Sequence, residues 1–333
     1  MPPNCIILLI ERLFSRSLLY FVETICVDLS VFEENCLWQR AVMAGLVAHA
    51  CGAACGGAAL AGGLVGQSGS RAMVSLENLT VSYRHHPALH HITGCFALGS
   101  LTAVVGPNGS GKSTLLKSIM GLLPLAGGQL TVSRSAGRIA YLPQVVEIER
   151  NFPINVRDCV CLGCWPLKQA WGGIDGQQLQ RVDAALQEVG LQGFEHRPIS
   201  SLSGGQLQRA LFARLLVQNA DLILLDEPFN SIDSKTTAAL LRIIAGWHEK
   251  KRTVMVVLHD DAQVRQYFPQ TLLLARELVA WGPTHQVMTQ ANLATARAMA
   301  EAWDDNAELC DVDAVMPPLL EVSPNTALHR HGA

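Results

Sequence analysis

Three short stretches of the chain carry residues that can handle phosphate groups and a divalent cation. The first, Gly106-Pro-Asn-Gly-Ser-Gly-Lys-Ser-Thr114, fits the spacing Gly-x-x-x-x-Gly-Lys-Ser. Its glycines let backbone N–H groups point inward, Lys112 can reach the outer phosphates of a nucleoside triphosphate, and Ser113 offers a hydroxyl to Mg²⁺. The stretch predicts an ATP site formed by Gly106, Pro107, Asn108, Gly109, Ser110, Gly111, Lys112, Ser113 and Thr114.

The second stretch, Leu222-Ile-Leu-Leu-Asp-Glu-Pro228, places two carboxylates after an apolar run. Asp226 is positioned to bind Mg²⁺ directly or through water, and Glu227 can act as the general base for an attacking water. The alternative is a solvated turn that happens to hold two acids. Carboxylates that end a buried strand would be costly without a cation, which favours the catalytic interpretation.

The third stretch is Leu202-Ser-Gly-Gly-Gln206, which begins a predicted helix. Backbone N–H groups at the positive end of a helix dipole form a binding site for an anion. The residues that would form it are Ser203, Gly204, Gly205 and Gln206. A single ATP site has no need of two such anion cradles, so the second one requires a separate explanation.

Together the three stretches resemble the ATP-binding cassette (ABC) ATPases, and the resemblance covers roughly residues 73–295. It implies an α/β fold of the P-loop NTPase class, with a RecA-like core, an antiparallel β subdomain and a helical subdomain inserted at about 145–205. In such ATPases the third stretch, called the signature, closes over the ATP held by another subunit. The chain is therefore expected to form a head-to-tail dimer with a second copy of itself.

Four further residues match positions of that family. The resemblance implies that Gln144 senses Mg²⁺ and the γ-phosphate, that His259 contacts the γ-phosphate, and that Asp233 crosses the dimer interface. The three residues before Asp233 are Asn230-Ser231-Ile232, whereas members of the family more often have Ser/Thr-Ala-Leu there. Tyr83 lies where the family places an aromatic residue that stacks on adenine, although a strand tyrosine that packs on its neighbours remains the alternative.

Hydrophobic periodicity predicts the elements that hold these residues. A strand over 101–106 runs into the phosphate loop and a helix over 112–122 follows it, which is the context that a phosphate loop requires. Gly127-Gly128 is expected to break the chain, and Gly190 to end an amphipathic helix over 177–189. Further strands are predicted at 73–83, 138–143, 222–225, 253–258 and 272–274. This alternation is typical of a parallel sheet with crossover helices.

Composition excludes some functions. The chain has 333 residues and a formal net charge of −3, so it has no basic excess for nucleic acid, and from Met73 onward it has no apolar stretch long enough to cross a membrane. Its 10 cysteines are interpreted as thiols. The closest to a metal pattern is Cys159-Val-Cys161-Leu-Gly-Cys164, which we interpret as the buried side of an amphipathic helix over 155–164 rather than a zinc site.

Residues 1–72 differ from the rest. Charged residues interrupt the apolar stretch 5–32, and the uncharged stretch 41–70 consists mostly of Ala and Gly. A weak membrane anchor, a loose extension, and translated upstream DNA with the true start at Met73 are the three interpretations, and the third is favoured because an alternating strand begins at Met73. Residues 296–333, with three prolines near the end, are expected to form a loose tail.

Four short sequence segments resemble most closely those of the ATPase subunits of bacterial importers for zinc, manganese and iron. They are His85-His-Pro-Ala-Leu-His-His91, Trp247-His248, Leu258-His-Asp-Asp261 and Val279-Ala-Trp-Gly282. This resemblance implies a peripheral homodimer on the cytoplasmic face of the inner membrane. It would dock on permease subunits that receive metal from a periplasmic binding protein. Zinc is expected ahead of manganese, with iron chelates third.

The permease would dock on segment 145–170. Its candidate apolar contacts are Phe152, Val156, Trp165 and Leu167, each of which could equally belong to an internal helical core. A soluble mechanical ATPase is the main rival function, but the chain has neither a second cassette nor long heptad repeats. A metal-binding module is the third possibility, with His85, His86, His90 and His91 as ligands. These histidines are interpreted instead as a polar hairpin between two strands.

Overall fold

The computed structural model describes residues 72–83, 86–133, 138–144, 152–164, 174–230 and 232–302, which form two β-sheets and the helices around them. The smaller sheet is antiparallel with the order β2-β1-β4. Its strands are β1 (Ala72–Tyr83), β2 (His86–Ala97) and β4 (Gly127–Val132). The expected antiparallel β subdomain is therefore present at the start of the described chain.

The larger sheet has six strands in the order β5-β6-β7-β3-β8-β9. All its pairings are parallel except that between β8 and β9. Its strands are β3 (Leu101–Val105), β5 (Ile139–Leu142), β6 (Leu222–Asp226), β7 (Thr253–Val257), β8 (Gln270–Ala275) and β9 (Glu277–Pro283). Every residue of β3, β6 and β7 is buried, as expected for strands covered on both faces.

The helices lie between these strands in the chain. They are α1 (Lys112–Ile119), α2 (Val156–Cys161), α3 (Gly176–Glu188), α4 (Gly204–Gln218), α5 (Ser234–Glu249), α6 (Asp261–Tyr267), α7 (Thr284–Val287) and α8 (Gln290–Glu301). Helices α2, α3 and α4 pack on one another and form the expected helical subdomain. Phe212 of α4 and Trp247 of α5 stack with ring centroids 5.9 Å apart, which joins this subdomain to the core.

The core divides into two clusters because side chains alternate along a strand. On β6, Ile223 and Leu225 belong to the cluster that includes residues of α2 to α5. Leu222 and Leu224 belong to the cluster that includes α1 and the antiparallel sheet. The central sheet is thus held from both sides, and its strand ends are the fixed points on which a site can be built.

Several strands and helices predicted from the sequence are confirmed, and one prediction is wrong. Gly127-Gly128 does not break the chain but begins β4. Gly128 has a φ of +77°, and a Cβ there would lie 2.1 Å from the carbonyl oxygen of Asn78 on β1. The glycine pair therefore permits a close strand pairing. The predicted helix over 112–122 is shorter and ends at Ile119, followed by Gly121 with a φ of +76°.

The histidine-rich segment lies at the expected hairpin between two strands, in which β1 pairs antiparallel with β2 and Tyr83 is opposite His86. His90 and His91 are within β2 rather than in a hairpin loop, and β2 already begins at His86. His90 Nδ1 is 3.0 Å from Glu277 Oε1, and His91 Nδ1 is 2.5 Å from Asn78 Oδ1. In the part of the chain that the structure describes, no group of three His, Cys, Asp or Glu side chains is arranged to hold a metal ion. His85 and the side chain of His86 lie outside that part.

The described C-terminal region extends past the expected boundary at 295. Helix α8 continues to Glu301, and Ala296 is buried in the larger core cluster. The predictions for residues 1–71 and 303–333, and for Trp165 and Leu167, fall outside the described residues. Among the helices that are described, none combines the length and apolar character needed to span a membrane.

Candidate ATP site

The phosphate loop connects β3 to α1, as predicted, and two of its glycines cannot be replaced without a clash. Gly106 has a φ of +152°, and a Cβ there would lie 2.0 Å from the carbonyl oxygen of Leu274. Gly111 has a φ of +88°, and a Cβ there would lie 2.3 Å from the carbonyl oxygen of Ala88. Neighbouring backbone therefore occupies one side of the loop, and only glycine allows this close approach.

Lys112 is the cation of the loop and is almost completely buried, with 5% of its surface exposed. Its Nζ donates hydrogen bonds to the carbonyl oxygens of Gly106 at 2.9 Å and Pro107 at 2.7 Å. Burial lowers the pKa of Lys112, while the carboxylates of Glu227 and Asp226 act in the opposite direction and raise it. The ammonium group is thus held inside the loop, where it can contact the outer phosphates of ATP.

Helix α1 begins at this lysine with its N–H groups directed toward the loop. The N-cap residue is Gly111, and no side chain caps the helix by a hydrogen bond. The first N–H groups of a helix lack partners within the helix, and the helix dipole adds positive potential there. Ser113 and Thr114 lie in this first turn, so the helix end can receive phosphate oxygens.

Asp226 is the last residue of β6 and is fully buried. The hydroxyl group of Tyr141 donates to its Oδ2 at 3.5 Å, which is a long contact. A buried carboxylate and the hydroxyl of Ser113 are oxygen ligands of the kind that Mg²⁺ binds, and the low dielectric strengthens the attraction for a cation. These residues therefore fit the magnesium ion that the sequence predicted.

Glu227 follows Asp226 in a left-handed backbone conformation, with a φ of +49°. Its Oε1 is 2.6 Å from His259 Nε2, and its Oε2 accepts a hydrogen bond from Asn230 Nδ2. His259 comes two residues after the end of β7, which pairs with β6. Neighbouring parallel strands thus bring Glu227 and His259 together, although they are 32 positions apart in the sequence.

Gln144 and Tyr83 have partial placements. Gln144 is half-buried and lies two residues after Leu142, where β5 ends beside β6. It is therefore at the same edge of the sheet as Asp226. Tyr83 is the last residue of β1, and its side chain is outside the described residues. Its stacking on adenine stays a prediction.

The signature residues line a different cavity. Ser203 is the N-cap of α4, where its Oγ accepts from Gln206 N at 3.3 Å and Gln206 Oε1 accepts from Ser203 N at 3.0 Å. This reciprocal pair is a capping box. The cavity has a volume of about 270 Å³ and is lined by Ser203, Gly204, Gly205, Gln206, Arg209, Ile232, Asp233 and Thr236.

Asp233 lies in this signature cavity and is the N-cap of α5. Its carboxylate accepts hydrogen bonds from Thr236 Oγ1 at 2.7 Å and Thr236 N at 2.9 Å. These bonds lower the pKa of Asp233, the side-chain bond with Thr236 most of all. The structure thus places Asp233 beside the signature residues.

Comparison with known proteins identifies the family. Residues 89–230 match the family model described as ABC transporter. The chain is 40% identical over 225 residues to the manganese transport system ATP-binding protein MntB of Listeria monocytogenes. The matched region covers 66% of this chain and 94% of that protein. The chain belongs to the ABC transporter family. It is also 40% identical over 223 residues to the zinc transport system ATP-binding protein TroB of Treponema pallidum, with 65% and 84% covered.

Solved structures of ABC proteins share the fold. A metal-chelate type ABC transporter in an inward-facing conformation superimposes with a TM-score of 0.61 at 29% identity, over 68% of this chain and 90% of that chain. The dimeric ATP-binding cassette MJ0796, bound to ADP and Pi after hydrolysis, gives a TM-score of 0.57 at 26% identity, over 64% and 99%. The predicted P-loop NTPase fold of ABC ATPase type is confirmed.

Within this ABC ATPase, sequence reasoning missed two side chains that shape the site. From the sequence, Asn230 stands out only as a departure from the usual family sequence, yet it contacts the carboxylate of Glu227. Gln208 is buried and donates from Nε2 to the carbonyl oxygen of Pro228 at 2.8 Å. A polar residue at an otherwise apolar position of α4 was the available signal for Gln208.

Two proposed permease contacts can also be located. Val156 is completely buried in the larger core cluster, which favours the alternative that it belongs to an internal helical core. The reason is that α2 packs on α4 and turns this residue inward. Phe152 is half-buried and packs against the same cluster. Cys159 and Cys161 are buried on α2, which agrees with the interpretation of these cysteines as small apolar residues.

Proposed function

We propose that this chain is the ATP-hydrolysing subunit of a membrane transporter that imports divalent metal ions. The observation that carries the enzymatic part is the contact between Glu227 Oε1 and His259 Nε2 beside the buried Asp226. A carboxylate held by a histidine next to a phosphate loop can polarise a water for attack on a phosphoanhydride. The relatives named for manganese and zinc transport support the biological role.

Each residue near the phosphate loop has a distinct role in this proposal. Lys112 and the N–H groups of α1 bind the phosphates and neutralise the charge that develops on them. Glu227 accepts a proton from the attacking water, and His259 orients that carboxylate and contacts the γ-phosphate. Asp226, Ser113 and Gln144 would hold Mg²⁺, which supplies further charge neutralisation when it is bound.

The signature cavity belongs to a second ATP site in this proposal. It is lined mostly by polar side chains and by the N-terminal end of α4, but its lining contains neither Lys112 nor Glu227. Each copy of the chain therefore carries two half-sites, one at the phosphate loop and one at the signature. When two copies associate head to tail, the signature of one copy completes the site at the phosphate loop of the other. The dimeric structure of the cassette MJ0796 supports this assembly.

The wider assembly is proposed from the relatives. The dimer would bind permease subunits at the cytoplasmic face of a bacterial inner membrane, and a periplasmic protein would deliver the metal. Zinc remains the first proposal for the ion and manganese the alternative. Relatives with the same 40% identity carry either name, so they support both ions equally. Since this subunit acts through its permease, its own residues do not select the ion.

Growth of a deletion strain tests the transported ion. A strain without this gene, and without a redundant importer, should grow poorly under zinc chelation, and added zinc but not manganese should restore growth. A plasmid with the wild-type gene should also restore growth, whereas the matched plasmid with Glu227→Gln should not. Normal growth in the zinc chelator combined with failure when manganese is withheld would replace zinc by manganese in this proposal.

A further inference from the structure

Asn230 contacts the proposed catalytic base directly. Its Nδ2 donates a hydrogen bond to Glu227 Oε2, while His259 Nε2 lies 2.6 Å from Oε1 of the same carboxylate. Each carboxylate oxygen thus has its own nitrogen partner. Two donors on two different oxygens fix the rotation of the carboxylate plane, which a single donor would leave free.

The backbone around Asn230 is itself held in place. Asn230 N donates to the carbonyl oxygen of Glu227 at 3.3 Å, which closes a turn. Gln208 Nε2 donates to the carbonyl oxygen of Pro228 in the same turn at 2.8 Å, and Gln208 has only 1% of its surface exposed. A buried amide on a helix is a rigid anchor. The turn that carries Asn230 is therefore tied to the core through Pro228, while the Asn230 side chain itself is exposed.

The clamped carboxylate still has room to bind water. A carboxylate offers about four lone-pair positions, so two donors leave acceptor capacity on both oxygens. A cavity of about 140 Å³ reaches the carboxylate and is lined by Glu227, Phe229, Asn230, Val257, Leu258, His259, Asp260 and Gln263. This volume is several times the ~15 Å³ of probe space that one water needs. Water can thus approach Glu227 while Asn230 remains bound to it.

We propose that Asn230 is a positioning residue for Glu227: its amide holds the carboxylate in the orientation from which it takes the proton of the attacking water. The inference rests on the proposed function, because it requires Glu227 to be the base. General-base catalysis depends on the direction as well as the distance of the acceptor oxygen. Asn230 therefore acts on the hydrolytic step and not on the binding of ATP.

The main test replaces Asn230 by a residue of similar size without a donor. Asn230→Leu should lower kcat by about 10- to 100-fold and leave the KM for ATP and the melting temperature nearly unchanged. Asn230→Gln, which retains the amide, should recover part of the lost kcat. The matched control is Asn292→Leu, since Asn292 Nδ2 donates to the carbonyl oxygen of Val287 at 2.9 Å in α7. It should lower the melting temperature and leave kcat within about twofold of wild type.

A double-mutant cycle separates positioning from other effects. In the Glu227→Gln background, adding Asn230→Leu should change the single-turnover rate by less than about twofold, because the group on which Asn230 acts has already been altered. ATP-dependent dimerisation of this double variant should match that of Glu227→Gln alone. Additive losses in the cycle, or loss of dimerisation, would show that Asn230 acts elsewhere and would overturn the inference.

Failure of the inference can be told apart from failure of the proposed function. If Glu227→Gln is inactive and Asn230→Leu has the wild-type kcat, only the positioning role of Asn230 is wrong. If Glu227→Gln itself hydrolyses ATP at the wild-type rate, the assignment of the base is wrong, and the inference falls with it.

Discussion

The phosphate loop and the signature of this ABC ATPase each lie at the N-terminus of a helix, but the two helix N-termini are capped differently. The phosphate loop ends at Gly111, which gives α1 no side-chain cap. Within the signature, Ser203 is the N-cap of α4 and forms a capping box with Gln206 in the first turn of that helix. Helix α1 therefore leaves its N–H groups to a ligand, whereas α4 satisfies part of its own end before any ligand is bound.

This difference indicates that the phosphate loop and the signature bind the phosphates of ATP with different affinities. The phosphate loop combines uncapped N–H groups with the buried charge of Lys112, so it is expected to hold ATP in one copy of the chain. The signature cavity is open and relies on polar groups without a buried lysine in its lining. The signature is therefore expected to contact phosphates that another surface already holds. Four predictions test this comparison, in order of decreasing effect.

The largest effect is expected from Glu227→Gln, which removes the base and leaves both loops intact. Turnover should fall by about 10²- to 10⁴-fold, while ATP remains bound. If the signature closes over ATP held by the other copy, this variant should form a long-lived dimer with ATP. Steady-state hydrolysis and size-exclusion chromatography with and without ATP measure both effects. A variant that stays monomeric with ATP bound would contradict the complementary roles of the two loops.

The second prediction compares the loops by ATP affinity. Lys112→Ala should weaken binding by about 2–5 kcal/mol, because a buried charge that contacts phosphate is lost. Ser203→Ala should leave the affinity of the dilute single chain unchanged, since the signature does not hold ATP there. Binding of a fluorescent ATP analogue at low protein concentration measures both variants. Equal losses would mean that the two loops contact the same nucleotide within one chain.

The third prediction compares the loops by their tolerance of a methyl group. Gly111→Ala would meet the carbonyl oxygen of Ala88 at 2.3 Å in a backbone with a φ of +88°, so the free energy of unfolding should fall by about 1–3 kcal/mol. At Gly205 the nearest atom is Ile232 Cγ2 at 3.6 Å, which is an ordinary contact. Gly205→Ala should therefore keep wild-type stability. Thermal unfolding without nucleotide checks the pair, and a destabilised Gly205→Ala would show that the signature is packed as tightly as the phosphate loop.

The smallest effect concerns the packing of α2 against the signature helix α4. Burial, the largest cause, raises the pKa of the Cys161 thiol on α2 from 9.0 to about 11. At pH 8 the reactive thiolate should be about 100-fold rarer than for a thiol of ordinary pKa, and its alkylation should accelerate with pH up to about 11. Mass spectrometry of alkylated peptides measures this rate. Fast labelling at pH 8 would show that α2 separates from α4 more readily than the packing indicates.

The sequence predicted those parts of the site that depend on local spacing. The phosphate loop is one continuous stretch of sequence, and so is the capped start of α4. Their chemistry can therefore be assigned from residue types. The contact of Asn230 with Glu227 depends on a turn whose closure the sequence does not display. For Val156 the sequence left a docking contact and a core position open, and only the packing of the helices shows that it lies in the core.

Distant pairings account for most of what was missed. Strand β9 and helix α8 were not predicted. Strand β9 is half-buried and pairs with only one neighbour, which leaves its hydrophobic pattern weak. Trp281 of β9 packs on Phe96 with ring centroids 4.5 Å apart, and a Cβ at Gly94 would lie 2.4 Å from its ring. The phrase Val279-Ala-Trp-Gly282, which suggested zinc-type subunits, thus has a structural role in joining the two sheets.

The position of β3 in the sheet has a consequence for biosynthesis. This strand leads into the phosphate loop, yet its neighbours in the sheet are β7 and β8, and Leu101 pairs with Val254. At ~5–20 residues per second, a ribosome needs roughly 8–30 s to make the intervening ~150 residues. During that interval the apolar β3 has neither of its partners. The nascent chain should therefore depend on chaperones until the last third has emerged, and a stop codon before β7 should yield an insoluble fragment that does not bind ATP.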